Sequence, residues 1–97
     1  MLTRHQFSDL RGLKEFVYTT LCNHSQLQIG VYPMTKRVLM RAGKPCGLYF
    51  CVHGPRATKL TAIWETERNR VLFYSSDGGR FQKTELSEAP QLECAAA

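Results

Sequence analysis

Between Phe16 and Trp64 the chain carries no aspartate and no glutamate. The same interval holds Lys36, Arg37, Arg41, Lys44, Arg56 and Lys59, while the acids sit at Asp9, at Glu15 and from Glu65 onward. A surface drawn from that interval is positive. It suits phosphate, an acidic partner or an anionic membrane, or it is a plain solvated basic face. Other absences narrow the classes further. No run of about 18 apolar residues occurs, so no membrane span and no membrane partner is expected. The stretch Met1-Leu-Thr-Arg-His-Gln-Phe7 has no apolar signal core followed by small residues, so a cytoplasmic location is expected. No phosphate-binding glycine loop is present. Gly54-Pro55-Arg56 reads as a turn, at which Arg56 can still meet an anion. Asp77 falls in a turn and Glu65 and Glu67 in a loop, without a recognisable acid–base pair. The four cysteines, Cys22, Cys46, Cys51 and Cys94, are expected as reduced thiols without an export signal.

What is present describes one small domain. The 97 residues leave no room for two separate cores. The ordered domain is expected over residues 1–86, with 87–97 as a flexible tail. Phe7, Leu10, Leu13, Val17 and Leu21 fall three or four apart, with Phe16 beside them, and predict an amphipathic helix from Arg4 to Cys22. Thr3 and Gln6 fit a capping box at its start. Gly12 weakens that helix by about 1 kcal/mol relative to alanine. Ser25 to Pro33 reads as a loop or an edge strand.

Strands follow at Thr35–Arg41, Cys46–His53, Thr58–Trp64, Arg70–Tyr74 and Arg80–Leu86, separated by turn-forming Gly, Pro, Asn, Asp and Ser. Alternation sorts their side chains. Leu48, Phe50 and Val52 share a face with Leu60, Ala62 and Trp64 and with Val71 and Phe73. Tyr49, Cys51 and His53 share the other with Lys59, Thr61 and Ile63 and with Arg70, Leu72 and Tyr74. In the last strand Phe81, Lys83 and Glu85 are expected on one face. The fold class is therefore α+β, an N-terminal helix packed on one face of a four- to five-stranded, mostly antiparallel β-meander. One helix covers the centre of one sheet face and leaves the other to solvent or to a partner.

The runs Cys22-Asn-His24, Cys46-Gly-Leu-Tyr-Phe-Cys-Val-His-Gly-Pro-Arg56, Leu60-Thr-Ala-Ile-Trp-Glu-Thr66 and Val71-Leu-Phe-Tyr74 resemble a group of small uncharacterised proteins encoded in planctomycete genomes. The resemblance spans most of the chain. It implies a bacterial, cytoplasmic, stand-alone protein, and it brings neither an activity nor a site residue.

The sequence offers three binding chemistries. Apolar residues among charges suit a protein interface or a homodimer, formed by Tyr49, Lys59, Ile63, Arg70, Leu72 and Tyr74. Aromatic rings among cations suit single-stranded nucleic acid, with Lys36, Arg37, Arg41, Lys44 and Arg56 as phosphate contacts. Two Cys-x-His pairs, Cys22 with His24 and Cys51 with His53, hold the two sulfurs and two nitrogens of a zinc set, at a spacing unlike that of standard fingers. Buried thiols acting as small hydrophobes are the alternative. A non-enzymatic binding module without cofactor is the expected class. Cys51 and His53 run parallel from one strand face with no third orienting group.

Overall fold

The computed structural model describes residues 2–5 and 10–86. The elements are β1 (Leu2–His5), α1 (Leu10–His24), β2 (Met34–Arg41), β3 (Lys44–His53), β4 (Lys59–Glu65), β5 (Arg70–Tyr74) and β6 (Arg80–Leu86), with a 3-10 turn at Pro55–Ala57. Strands β2 to β6 form the antiparallel meander that alternation predicted. Strand β1 adds to its far side, parallel to β6, and the sheet order is β1-β6-β5-β4-β3-β2.

Helix α1 lies on one face of this sheet. Leu13, Val17, Leu21 and Cys22 pack on Leu48, Phe50, Val52, Leu60, Ala62, Trp64, Val71 and Phe73, all buried. The predicted face assignment of β3, β4 and β5 holds throughout. The helix ends in a Schellman motif. Leu27 N–H donates to the Cys22 carbonyl at 2.8 Å and Gln26 N–H to that of Asn23 at 3.2 Å, with Gln26 at φ +58°. That closure carries the helix two residues beyond Cys22. It also turns Leu27 back onto the core, so residues 25–33 form a loop and not a strand.

Two expectations are corrected. Thr3 does not cap the helix. It lies in β1, paired with Thr84, and the helix begins at Leu10. Without β1 the far side of β6 would have no hydrogen-bonding partner, and that long-range pairing outweighs the local capping signal. Gln6, Phe7, the tail 87–97 and Cys94 lie outside the described residues. The second correction concerns Phe81. The β5–β6 register shifts between Phe73 and Tyr74, so that Phe73 pairs with Gln82 and Tyr74 with Arg80. The extra residue, Phe81, turns toward the helix and stacks on His24 with centroids 3.6 Å apart. Lys83, paired with Leu72, and Glu85, paired with Arg70, stay on the opposite face.

The β5–β6 turn closes on Asp77. Its carboxylate accepts from the Ser75 hydroxyl and from Gly79 N–H at 2.8 Å, and these bonds hold the carboxyl below the usual range. Gly78 supplies φ +89° there.

Candidate protein interface on the open sheet face

Odd-numbered positions of β2 to β4 and even-numbered positions of β5 share the face that α1 leaves uncovered. The register lays them out in rows. The middle row runs Arg37, Tyr49, Ile63, Leu72 and Lys83 across five strands. A second row runs Thr35, Cys51, Thr61 and Tyr74. A third runs Leu39, Gly47, Glu65, Arg70 and Glu85. Among the described residues, no helix or strand lies over these rows.

All six predicted interface residues fall on this face, but they are not equivalent. Tyr49, Ile63 and Tyr74 are half-buried. Leu72 is only 7% exposed, so it offers a partner little new apolar area. Arg70 is turned inward along the sheet, where its Nε lies 2.5 Å from a Glu65 carboxylate oxygen. Lys59 stands exposed at the end of β4. Arg37, named from the sequence only as a phosphate contact, and Lys83, named for no site, end the middle row. Arg37 places its guanidinium 5.4 Å from the Tyr49 ring centroid, a cation–π contact across the β2–β3 pair. Strand alternation on β2 already put Arg37 on this side. Lys83 needed the bulge at Phe81 to be seen.

The proposed phosphate contacts do not converge. Arg37 faces the open side, while Lys36 pairs with Phe50, a core-side residue. Arg41 and Lys44 pair beside the β2–β3 turn, and Arg56 lies in the 3-10 turn after the opposite end of β3. Arg41 also faces Glu67 at 3.8 Å, with both side chains mostly in solvent, where such a pair is worth about 0–1 kcal/mol.

The zinc set is divided by the sheet. Cys22 is sealed in the helix–sheet core, and His24 stacks on Phe81 on that same side. Cys51 and His53 lie on the open face, where His53 Nε2 is 2.9 Å from the Thr35 hydroxyl. The four residues do not meet. Among the described residues, no group of three His, Cys, Asp or Glu side chains is placed to hold a metal ion. Burial pushes the Cys22 and Cys51 thiols up from their ordinary range. A hydrogen bond with Tyr18 offsets part of this at Cys22, and the charge of Lys59 does so at Cys51. Both thiols therefore stay protonated at neutral pH. In native protein iodoacetamide should label half-buried Cys46 well before Cys22 and Cys51, with equal labelling once denatured. Peptide mass mapping reads this, and early labelling of Cys51 would contradict the burial described.

Compared with family models, curated proteins and solved structures, the chain finds no match. Among the described residues, no helix is long and apolar enough to cross a membrane.

Proposed function

We propose that this chain is a non-enzymatic binding module that associates with protein through the open sheet face, a second copy of itself being the first partner to test. The observation that carries this reading is the middle row. Tyr49 and Ile63 stand side by side and half-buried at its centre with the sheltered Leu72 beside them, and among the described residues no second layer covers them. A contiguous apolar stripe rimmed by charge is a common mark of a contact surface.

The extent of the face sets the affinity scale. Five strands about 4.8 Å apart and about 17 Å long make a plateau of roughly 400 Å² in projection. Two such faces bury roughly 800 Å² between them, below the range of stable specific interfaces, so association should be weak and depend on concentration.

The charges make self-association and binding of an acidic partner separable. Arg37, Lys59 and Lys83 frame the stripe, and two such faces repel each other. Raising salt should therefore strengthen a homodimer and weaken a complex with an acidic protein. Light scattering over a concentration series is expected to show a monomer–dimer equilibrium. Ile63→Asp should hold the chain as a monomer while it keeps its melting profile. Tyr49→Ala serves as a second variant that adds no charge. A wild-type mass that never exceeds the monomer ends the homodimer reading, and dimerisation retained in both variants removes it from this face. Nucleic-acid binding fits less well, because the five basic residues named for it are scattered along β2, its turn and the far loop.

A further inference from the structure

The two ends of the open face treat their cations differently. Toward the β2–β3 turn lies a depression lined in part by Leu39, Arg41, Ile63, Glu65, Glu67 and Arg70. Of the three arginines there, Arg41 faces Glu67 and Arg70 is bonded to Glu65, and Arg68 is the third. At the other end a second depression, of about 400 Å³, is lined by Thr35, Arg37, Tyr49, Cys51, His53 and Lys59, with Lys36 alongside. No Asp or Glu lines it. None of its three cations forms an ion pair with a described residue.

We infer that this acid-free pocket, where β2, β3 and β4 meet, binds a phosphate group. The register makes it a built concavity and not a chance gathering of long side chains. Cys51 forms the floor, only 4% exposed. Thr35 is its partner across the β2–β3 pair, and Tyr49 and His53 stand two positions to either side of it on β3. Arg37, paired with Tyr49, and Lys59, paired with His53, occupy opposite corners. A group resting over Cys51 is thus approached by positive charge from two directions.

The polar centre of the pocket suits the same ligand. Thr35 Oγ1 and His53 Nε2 are 2.9 Å apart. If Nε2 carries the proton, it donates to Thr35, and the threonine hydroxyl keeps its own hydrogen to offer. If Nε2 is bare, the hydroxyl donates to it and Nδ1–H is left over. Either tautomer leaves one donor to add to the guanidinium and the ammonium. Several donors around one anion match a tetrahedral oxyanion with acceptors on every side, and a dianion gains most from unpaired cations. The pocket requires neither a second copy nor a polymer.

The phosphate has three sources: free phosphate, a mononucleotide or a nucleic-acid backbone. Nitrogen-edited NMR titrations with inorganic phosphate, at constant ionic strength held by chloride, test the shared chemistry. Saturable shifts at the amides of Thr35, Arg37, Cys51 and His53 are expected, with a Kd of about 1–10 mM. The double variant Arg37→Gln, Lys59→Gln should weaken binding at least about tenfold with an otherwise unchanged spectrum. Absence of saturation, saturation mapping elsewhere, or equal affinity in the variant overturns the proposal. Parallel titrations with adenosine monophosphate and an eight-residue oligothymidylate then separate the sources. Tighter binding of the nucleotide identifies a mononucleotide site. Tighter binding of the oligomer, lost steeply with salt, identifies a backbone contact. Equal binding of all three identifies phosphate itself.

Discussion

Gly47→Ala should remove several kcal/mol of stability, although it adds a single methyl group. Gly47 sits on β3 between Leu39 of β2 and Glu65 of β4. A β-carbon built there would lie 2.2 Å from the Trp64 carbonyl oxygen and 3.3 Å from its carbonyl carbon. Both atoms belong to the backbone of β4, so no side chain can swing aside. The two central strands would have to part, and they carry Leu48 and Trp64 at the heart of the core. Overpacking of this kind costs about 1–3 kcal/mol and sometimes more, and a backbone obstacle puts Gly47 at the upper end. For a domain of this size each kcal/mol lowers Tm by about 4–8 °C, so a fall of roughly 10–20 °C is expected. Gly54→Ala is the control. Its nearest obstacle is the Cδ1 of Leu27 at 3.3 Å, the far end of a flexible side chain. Thermal melts followed by circular dichroism decide the matter. A Gly47→Ala protein that melts with the wild type would mean that β3 and β4 are not this close.

Trp64→Ala is the second large effect, expected at about 3–5 kcal/mol. The indole is 1% exposed and is the largest fully buried side chain among the described residues. Its Nε1–H donates to Asn69 Oδ1 at 3.2 Å. The same asparagine donates from Nδ2 to the Leu86 carbonyl at 3.0 Å, and its own carbonyl accepts from Leu86 N–H at 3.0 Å. Trp64 therefore fills the core and also reaches the turn that fastens β6. Urea titrations of Trp64→Ala and Trp64→Phe divide these roles. Phenylalanine restores most of the volume but leaves Asn69 Oδ1 without the indole donor, a loss of about 1–3 kcal/mol. Asn69→Gly keeps the positive φ of +46° easy to adopt and removes only the side-chain bonds. If Asn69→Gly costs nothing, the tie between Trp64 and Leu86 has no energetic weight.

The readable parts of this fold were those governed by neighbours in sequence. Alternation along Leu48-Tyr49-Phe50-Cys51-Val52 needs only that one face be dry, and the turns around Gly43, Pro55 and Gly78 separate the strands without reference to anything distant. The helix stripe of Leu13, Val17 and Leu21 is equally local. Leu2–His5 was not legible, because four residues become a strand only when β6 arrives from the other side of the molecule. The face of Phe81 depended on a bulge set by the pairing of Phe73 with Gln82, which alternation within β6 cannot show. The candidate site divides in the same way. Tyr49, Ile63 and Tyr74 follow from strand parity. The shelter of Leu72, the commitment of Arg70 to Glu65 and the separation of Cys22 from Cys51 are facts of three-dimensional placement. The acid-poor interval from Phe16 to Trp64 was plain in the sequence, yet its division into a matched and an unmatched end was not.

The pairing of Leu2 with Lys83 also bears on the order of events as the chain is made. Synthesis delivers β1 first and β6 last of the described strands, so β1 must wait for its neighbour while the roughly 80 residues between them are made. Closing a loop of about 80 residues costs more entropy than forming any hairpin of the meander, though the cost grows only with the logarithm of length. The four hairpins β2–β3, β3–β4, β4–β5 and β5–β6 close short loops and can assemble as they emerge. Strand β1 then docks onto a finished edge. Until it does, β6 presents an open row of backbone donors and acceptors to any neighbouring nascent chain, the period in which edge-to-edge aggregation is most dangerous.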